Sequence, residues 1–409
     1  MHVAFVLPRF FPYRGGYENS LLALAKYLTG RGHQVTVFTT VADDLESFWL
    51  PERKTFPEGQ VLVDDVTVRR FPISHNVMLR RASRVAGMLP NWRWKAQFAR
   101  PAFFIPGLGQ ALREARADLI HIGPLPYSNL MYAGLRAAEE SRTPLVATPC
   151  THFGEEGNDD VARHYVQPHQ IEMLRRCALV ICMTESERRR LQKLGVQSEK
   201  TVIPHGIDFA GVTGGNPDYL REQYGLQGPV VLHLAVKTLE KGSITLLEAM
   251  KQLWAAGVQA SLAMAGPAMS DFDRYLAANA PPSGVCFLNL PAFADQEKRD
   301  LLASATVVAQ PSRVESLGLV MLEAWANARP VLAADIAVSR ELVTESGGGA
   351  VVPFGDAQAL AGEIARLLND AGLRQALGEN GRKLALRYDG SALWRRTAEA
   401  FESVAARRT

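Results

Sequence analysis

The stretch PSRVESLGLVMLEAWANARPVLAAD, from Pro311 to Asp335, decides the fold of this chain. A short apolar strand precedes it, and Ser316 is of an N-cap residue type, which predicts a helix over Leu317–Asn327. Glu315 then lies in the loop before the helix. Glu323 lies about two turns inside it, roughly 10 Å beyond Glu315 at ~1.5 Å per residue. Strand, loop and helix in this order form the repeating unit of an α/β fold.

The two carboxylates of this stretch suit a ligand that carries hydroxyl groups at both ends and a diphosphate between them. A nucleotide sugar is such a ligand, because Glu315 can accept hydrogen bonds from the sugar hydroxyls and Glu323 from those of the ribose. The backbone N–H groups of Ser316–Leu319, at a helix N-terminus, then face the phosphates. The alternative is that both are solvated glutamates without a ligand, which is common for two glutamates eight positions apart.

Strand-like and helix-like segments alternate through the half of the chain that precedes this stretch. Apolar strands are predicted over 2–7, 34–39, 118–122, 144–148 and 179–183, and the apolar periodicity of Glu18–Arg31 predicts a helix. Such alternation is typical of parallel βαβ units. A stretch rich in glycine, asparagine and proline, Gly211–Pro217, then suits a linker.

The same alternation restarts after the linker. Strands are predicted over 230–234, 261–265, 285–288, 307–309, 330–333 and 350–352, with helices over Ile244–Trp254 and Ser391–Ala406. Two such runs predict two doubly wound domains whose strand ends share one cleft. The expected divisions are an N-terminal domain over 1–205, a linker over 206–217, a C-terminal domain over 218–388, and a helix over 389–409 that packs back on the first domain.

Composition argues against several classes of protein. The chain has 409 residues with 45 basic and 42 acidic side chains, and its net charge of +3 gives no reason to expect a nucleic acid partner. The four cysteines have no metal-ligand spacing, which predicts a reduced, cytoplasmic chain. The opening HVAFVLPRF suits a buried strand better than a signal peptide, and no apolar run reaches the ~18 residues of a membrane-spanning helix.

One ordered set of motifs resembles a known family across nearly the whole chain. The E-x7-E spacing inside PSRVESLGLVMLEAWANARPV resembles the retaining glycosyltransferases of family four, which have the GT-B fold. RFFPYRGGYENSLLALAKYLTGRGHQVTVFTT, LVATPCTH, CMTESERRRLQKLGV and VIPHGID resemble the family's N-terminal landmarks, and TLEKGSITLLEAM, LAMAGP and VVPFGDAQALAGEIARLL those of its C-terminal half. The resemblance implies two doubly wound Rossmann-like α/β domains that face each other across a cleft. The N-terminal domain would bind the acceptor and the C-terminal domain the nucleotide sugar.

The resemblance also implies the residues of the site. His152, Lys241 and Glu315 take the catalytic positions, and no metal is expected. The donor-binding positions fall on Gly15, Gly16, Lys237, Lys241, Glu315, Ser316, Leu317, Gly318, Leu319 and Glu323. Lysines and a helix N-terminus would meet the charge that develops on a departing nucleoside diphosphate.

Three positions depart from the family pattern. Val236 takes the place of the family's arginine, and Lys237, one residue on, offers a point charge instead of a bidentate fork. Strict alignment on LVAT puts Cys150 where many members have the active-site histidine. His152, two residues later, is favoured because an imidazole hydrogen-bonds a sugar hydroxyl and a thiol does so poorly. His205 replaces the asparagine of the interdomain N-G-V-D signature. The alternative is that Lys237 and His152 are loop side chains without a role in binding.

The activity implied by the resemblance is transfer of a hexosyl group from a UDP- or GDP-linked sugar to a hydroxyl, with retention of configuration and without a metal. The nucleotide sugar is a substrate, so no cofactor is expected. The expected acceptor is a lipid-linked or saccharide molecule of cell-envelope polysaccharide or glycolipid synthesis. The basic, tryptophan-containing segment 80–100 predicts a peripheral contact with the inner face of the membrane, with an ordinary solvated helix as the alternative.

Other classes of protein fit the same motifs. A nucleotide-sugar epimerase on the same fold would act on the donor without an acceptor, and a glycan phosphorylase would need a pyridoxal-phosphate lysine and a longer chain. A non-catalytic sugar-nucleotide-binding protein is compatible with the departures at Val236 and His152. Turnover of a donor and an acceptor separates these classes.

Overall fold

The computed structural model describes residues 1–13, 15–76, 78, 81, 85, 88, 90–98, 103–155, 157–158 and 160–407. These residues form two compact units. Unit 1 comprises Met1–His152, Ala162–His205 and Ala392–Thr409, and unit 2 comprises Phe153–Val161 and Gly206–Ser391. The expected linker residues 206–217 are therefore grouped with unit 2, where Phe209–Val212 form a short helix.

Within the described residues, an eight-stranded sheet forms the centre of unit 1, in the spatial order β3-β4-β2-β1-β5-β6-β7-β8. Its strands are β1 (His2–Val6), β2 (Gln34–Thr40), β3 (Gly59–Val63), β4 (Val66–Phe71), β5 (Leu119–Ile122), β6 (Leu145–Ala147), β7 (Leu179–Cys182) and β8 (Glu199–Val202). All neighbours pair in parallel except β3 and β4. The buried apolar strands of such a sheet confirm the five predicted strands of this half to within one residue.

The antiparallel hairpin of β3 and β4 was not predicted from the sequence. Asp64 and Asp65 join its strands with φ values of 46° and 64°. Two left-handed residues in succession form the hairpin turn that matches the twist of the flanking strands. Strand β3 is exposed along most of its length, so it lacks the apolar run by which the buried strands were recognised.

Helices connect these strands in the order expected of βαβ units. They are α1 (Gly16–Gly30), α2 (Trp92–Phe98), α3 (Leu108–Glu114), α4 (Ser128–Ser141), α5 (Asp160–Tyr165), α6 (Pro168–Leu174) and α7 (Glu185–Lys193), with a short 3-10 turn at Glu46–Phe48. Helix α1 buries Leu21, Leu24, Ala25 and Leu28 on one face. That face confirms the periodicity predicted for Glu18–Arg31.

The described residues of unit 2 surround a six-stranded, fully parallel sheet in the order β11-β10-β9-β12-β13-β14. Its strands are β9 (Val230–Leu234), β10 (Ser261–Ala265), β11 (Phe287–Leu290), β12 (Val307–Gln310), β13 (Val331–Ala334) and β14 (Gly349–Val352). The helices are α8 (Phe209–Val212), α9 (Tyr219–Tyr224), α10 (Ser243–Ala255), α11 (Ser270–Ala278), α12 (Asp295–Ser304), α13 (Leu319–Ala326), α14 (Ala337–Ser346), α15 (Ala357–Asn369) and α16 (Ala371–Ala385), followed by a 3-10 turn at Leu386–Tyr388. Central strands β9, β10, β12 and β13 are buried throughout, as a sheet covered on both faces requires.

The last helix, α17 (Gly390–Ala406), is grouped with unit 1 from Ala392 onward. The ring of Phe401 lies 6.1 Å from that of Phe5 on β1 and 5.7 Å from that of His121 on β5. Arg396 Nη2 donates to the carbonyl of Val202 at 3.0 Å. The helix therefore covers the centre of the first sheet.

Candidate active site

Lys241 and Glu315 meet beyond the carboxyl ends of two paired strands of unit 2. Lys241 lies in the loop after β9 and Glu315 in the loop after β12, and the two strands are neighbours in the sheet. Lys241 Nζ lies 2.7 Å from Glu315 Oε1 and 2.8 Å from the carbonyl oxygen of Val314. An ammonium has three N–H donors. Two are used in these contacts, which leaves one for an anionic ligand.

Gly242 fixes the lysine at this place. Its φ is 72°, and it is the residue from which α10 begins. A Cβ atom there would lie 2.1 Å from the carbonyl oxygen of Pro311, so the β9 loop approaches the β12 loop more closely than any side chain permits. The Lys-Gly pair that the resemblance singled out thus brings the two loops together.

His233 lies on β9, the strand that precedes the loop of Lys241. It was not predicted as a site residue. Its Nδ1 lies 2.8 Å from the carbonyl of Ala309 and its Nε2 2.9 Å from the hydroxyl of Ser243. Burial lowers the pKa of His233 to about 4, helped by the charges of Lys237 and Lys241. A neutral ring that donates from Nδ1 and accepts at Nε2 satisfies both partners. A single histidine in the apolar strand VVLHL carries no sequence signal for this role.

Lys237 is turned away from the Lys241–Glu315 pair. Its ammonium donates to the side-chain oxygen of Asn289 and, at 2.8 Å, to the carbonyl of Leu290, at the end of β11. The side chain is almost completely buried, and burial lowers its pKa to about 8. Lys237 is near enough to His233 to influence its titration. Its contact with a phosphate stays a prediction.

The helix after Glu315 begins later than the sequence predicted. Ser316 is not the N-cap, because α13 starts at Leu319 and Gly318 precedes it with a φ of 85°. Glycine adopts this left-handed conformation readily, and a Cβ atom there would lie 2.3 Å from the terminal methyl of Met321. Ser316 and Leu317 therefore belong to the loop. The free N–H groups at the start of α13 are therefore those of the turn that begins at Leu319, and not those that follow Ser316 directly.

Glu323 is buried inside α13, where a lysine of another helix meets it. Lys298 Nζ, from α12, contacts Glu323 Oε1. Glu323 Oε2 is buried and has no hydrogen-bond partner among the residues that the structure describes. A solvated glutamate, the alternative interpretation of this residue, is excluded by its 8% exposure. Lys298 was not predicted, since a lysine on the exposed-looking helix DQEKRDLLAS carries no distinguishing pattern.

Gly15 and Gly16 lie between β1 and α1 in unit 1. Gly16 is the first residue of α1, and Gly15 is its N-cap in an extended conformation. The next residue, Tyr17, packs its ring edge-on against His205, with centroids 5.3 Å apart. The double glycine thus stands at the start of a helix, as a phosphate-approaching loop does, beside the half-buried His205.

The position that strict alignment on LVAT gives to the family's histidine holds a thiol beside an imidazole. Cys150 Sγ lies 3.9 Å from His205 Nε2. Burial lowers the pKa of His205 to about 4. His152 is half-buried and packs edge-on against Tyr165 at 5.1 Å. The role predicted for His152 stays a prediction, and the structure adds His205 as an imidazole next to position 150.

A buried cluster near the start of α1 was also missed from the sequence. The Arg9 guanidinium lies 3.7 Å from the centroid of the Tyr13 ring, and Arg9 Nη2 lies 3.4 Å from Glu18 Oε1. Burial raises the pKa of Glu18, although Arg9 opposes the shift. All three residues lie in the motif RFFPYRGGYE. The motif has no regular spacing of polar and apolar residues that would predict a contact between them.

Two α/β units built on predominantly parallel sheets define the fold class, which is GT-B. The Anabaena HepE structure in complex with UDP and glucose is similar in fold, with a TM-score of 0.73 and 22% identity over 98% of this chain and 100% of that chain. Residues 14–210 match the family described as Glycosyltransferase Family 4, and residues 220–384 the family described as Glycosyl transferases group 1. Together the matches span most of the sequence. The chain belongs to glycosyltransferase family 4.

Two curated relatives match with low identity. A phosphatidyl-myo-inositol mannosyltransferase of Mycolicibacterium smegmatis is 25% identical over 99% of this chain and 94% of its own length. An alpha-D-kanosaminyltransferase of Streptomyces kanamyceticus is 28% identical over 69% of this chain and 73% of its own length. Both are sugar transferases, in agreement with the family.

Proposed function

We propose that this chain is a retaining glycosyltransferase that moves a hexosyl group from a UDP- or GDP-linked sugar to a hydroxyl of a lipid-linked or saccharide acceptor, without a metal ion. The observation that carries the proposal is the 2.7 Å Lys241–Glu315 pair next to the start of α13. A cation, helix N-terminal N–H groups and a carboxylate are the groups that a sugar diphosphate needs. The UDP bound to HepE and the phosphatidyl-myo-inositol acceptor in the name of one relative support the donor and acceptor classes.

Retention follows if the acceptor attacks from the side on which the diphosphate leaves. The bond between the anomeric carbon and the diphosphate oxygen breaks, and the bond from the acceptor oxygen forms on the same face. The acceptor proton passes to the departing diphosphate. Lys241 and the N–H groups at the start of α13 stabilise the negative charge that develops there. Glu315 accepts hydrogen bonds from the transferred sugar, and Glu323 from the ribose.

Unit 1 supplies groups of another kind. Gly15 and Gly16 allow the backbone at the start of α1 to approach a ligand closely. His152 is proposed to hydrogen-bond a sugar hydroxyl, as the resemblance implies. Arg9 and Glu18, in the same region of the chain, offer a buried donor and acceptor for the acceptor molecule.

The first experiment is a donor panel. UDP-glucose, GDP-mannose, UDP and GDP are tested by thermal shift, and the donor that stabilises the protein is then incubated with phosphatidylinositol or a free saccharide. The product's anomeric configuration is read by NMR, and the reaction is repeated with EDTA. A product with the donor's configuration that still forms in EDTA is expected. Inversion, or loss of turnover in EDTA, contradicts the corresponding part of the proposal.

The same experiment separates the other classes. A nucleotide-sugar epimerase converts the donor in the absence of any acceptor. A non-catalytic sugar-nucleotide-binding protein is stabilised by the donor and forms no product with any acceptor.

We also propose a peripheral contact between the segment 80–100 and an anionic membrane. Arg80, Arg84 and Arg100 lie outside the described residues. Trp92 packs against Tyr132 and between two arginines, whereas Trp94 is 48% exposed. The described residues Met78, Val85 and Met88 are exposed large apolar side chains in and next to this segment. No helix in the described part of the chain is long and apolar enough to cross a bilayer.

Liposome co-sedimentation tests this contact. Trp94→Ala is expected to weaken binding to phosphatidylglycerol vesicles, because exposed tryptophans enter the headgroup region. Leu386→Ala, which removes a comparably exposed apolar side chain in unit 2, is the matched control and is expected to leave binding unchanged. Equal, negligible sedimentation of wild type and both variants contradicts the membrane contact.

A further inference from the structure

Lys298 and Glu323 form a second lysine–glutamate pair in unit 2, between α12 and α13. We propose that Lys298 makes the nucleotide site selective for a ribose that carries its 2′- and 3′-hydroxyls, by pairing with the Glu323 carboxylate and fixing its orientation. The inference rests on the proposed function, since that function places the donor's ribose at Glu323. Lys298 acts through Glu323 and is a positioning residue.

The Glu323 carboxylate has unused hydrogen-bonding capacity. A carboxylate offers about four acceptor sites. Lys298 occupies one at Oε1, and the described residues provide none at Oε2, which is buried. A buried acceptor without a partner destabilises the structure that contains it. A pair of vicinal hydroxyls, each a donor, would remove that destabilisation.

The carboxylate needs a nearby cation to be buried in this way. Glu323 is 8% exposed, and a buried charge is stabilised when it is paired and hydrogen-bonded. Lys298 is that partner, and its contact with Oε1 fixes the direction in which Oε2 points.

Helix α12 holds Lys298 in place through the residues on either side of it. Glu297 Oε1 accepts hydrogen bonds from the hydroxyls of Tyr219 and Tyr224, each at 3.0 Å. Asp300 Oδ1 accepts from the backbone N–H of Asn216 at 2.8 Å. The lysine thus extends from a helix that is tied to the preceding segment of unit 2, which limits the freedom of the pair.

A purely structural role makes a different prediction. If the pair only joins α12 to α13, then removing Lys298 lowers the stability of unit 2 and leaves the relative affinities of two nucleotides unchanged. If Lys298 touched the nucleotide elsewhere, its removal would weaken every nucleotide equally. Only an effect through Glu323 changes the preference for ribose.

The experiment is isothermal titration of the full chain with UDP and GDP, each compared with its 2′,3′-dideoxy counterpart. The wild type is expected to bind the ribonucleotide roughly 10- to 100-fold more tightly, the range of hydrogen bonds to a charged group. Lys298→Met is expected to reduce this ratio to roughly threefold or less, as is Glu323→Gln. Lys298→Arg, which keeps the charge, is expected to restore part of the ratio.

Lys251→Met is the matched control. Lys251 pairs with Glu248 at 2.9 Å on α10, and its side chain is 20% exposed, against 18% for Lys298. Lys251→Met is expected to prefer the ribonucleotide over its dideoxy counterpart by the same factor as the wild type. Lys298→Gln replaces Lys298→Met if the latter does not fold, as judged by circular dichroism. A folded Lys298 variant with the wild-type ratio overturns the inference alone. A wild type that binds neither nucleotide overturns the proposed function, and the inference with it.

Discussion

The two units place ionisable groups in different ways. Eight of the nine histidines belong to unit 1, and burial lowers the pKa of His121 to about 3 and those of His169 and His205 to about 4. Unit 2 has one histidine, His233. The two predicted glutamates of unit 2 are instead each paired with a lysine, Glu315 with Lys241 and Glu323 with Lys298.

This difference matches the ligands proposed for the two halves. A diphosphate brings negative charge, which lysines and a helix N-terminus can bind if carboxylates balance them beforehand. A sugar or lipid-linked acceptor offers neutral hydroxyls, and imidazoles that stay neutral at pH 7 can both donate to and accept from them. Unit 2 therefore has paired charges of the kind proposed to bind a diphosphate, whereas unit 1 has neutral imidazoles and one buried charged pair, Arg9 and Glu18.

The largest effect is expected from breaking the charged pair of unit 2. Lys241→Ala and Glu315→Ala are each expected to lower kcat/KM for transfer by roughly 10²- to 10³-fold or more, because a positioned charge at the leaving group is lost. Steady-state assays with the donor identified in the panel measure this. Melting temperatures check that both variants are folded.

Lys251→Ala is the control for this prediction, since it breaks a lysine–glutamate pair of unit 2 outside the predicted site. It is expected to keep transfer within about twofold of the wild type. Near-wild-type turnover in Lys241→Ala or Glu315→Ala would exclude the pair from the mechanism, and with it the contrast between a charged and a neutral half.

A second prediction concerns acid. A histidine whose pKa is lowered by folding takes up its proton more readily in the unfolded chain. Its contribution to stability is complete above about pH 6.5 and is lost as the pH falls toward 4. Each such shift corresponds to about 3 kcal/mol. Unit 1 is therefore expected to open at a higher pH than unit 2, which hydrogen exchange of peptides containing β5 and β9 can measure.

His205→Asn isolates the histidine contribution. Burial raises the pKa values of Glu18 and Glu187 above the usual 4.5, so these two groups favour the folded state as the pH falls toward 4.5, in the opposite sense to the histidines. A single-histidine variant is therefore a cleaner probe than the acid stability of the whole unit. Asparagine cannot titrate, and the stability of unit 1 is expected to fall less steeply between pH 6.5 and 4. If the stability of His205→Asn depended on pH as steeply as that of the wild type, or if unit 2 opened at a higher pH than unit 1, the two units would not differ in acid sensitivity as proposed.

The structure brings together two of the site residues predicted in unit 2, Lys241 and Glu315, and places none of those predicted in unit 1 in such a pair. Apolar runs located the buried strands in both halves, because parallel sheets require them. The motif from Pro311 onward brought together Glu315 and, through the Lys-Gly pair, Lys241. Each of the two motifs is a short stretch of sequence, although the contact between them joins residues 74 positions apart, in two loops at the ends of adjacent strands.

Pairings that involve residues outside these motifs could not be predicted from the sequence. The approach of Cys150 to His205 joins residues 55 positions apart, and that of Lys298 to Glu323 joins two helices. Neither has a periodicity or a spacing rule. The predicted start of α13 was wrong for another reason. Serine and glycine are both found at the N-cap of helices, and the backbone before α13 is left-handed, which favours Gly318 over Ser316.

A third prediction tests the loop contact that holds Lys241. Gly242→Ala is expected to destabilise unit 2 by about 2–4 kcal/mol, because alanine strains a φ of 72° and its Cβ collides with the carbonyl of Pro311. Gly257→Ala is the control, with a φ of 80° and open space around a Cβ. Gly257→Ala therefore measures only the cost of a left-handed backbone for alanine, about 1–2 kcal/mol. Guanidinium unfolding measures both. Equal losses would show that the close approach of the two loops contributes nothing.

The smallest effect is expected at Ser316. Its side chain makes no cap hydrogen bond to α13, so Ser316→Ala is expected to change stability by less than about 0.5 kcal/mol. It is also expected to keep transfer activity, because alanine retains the backbone N–H groups that face the donor. Asp356→Ala is the contrast. The Asp356 side chain accepts from the N–H of Ala359 at 2.8 Å, and loss of such a cap costs about 1 kcal/mol. A loss at Ser316 as large as that at Asp356 would restore Ser316 as the N-cap and move the anion-binding turn of unit 2 back toward Glu315.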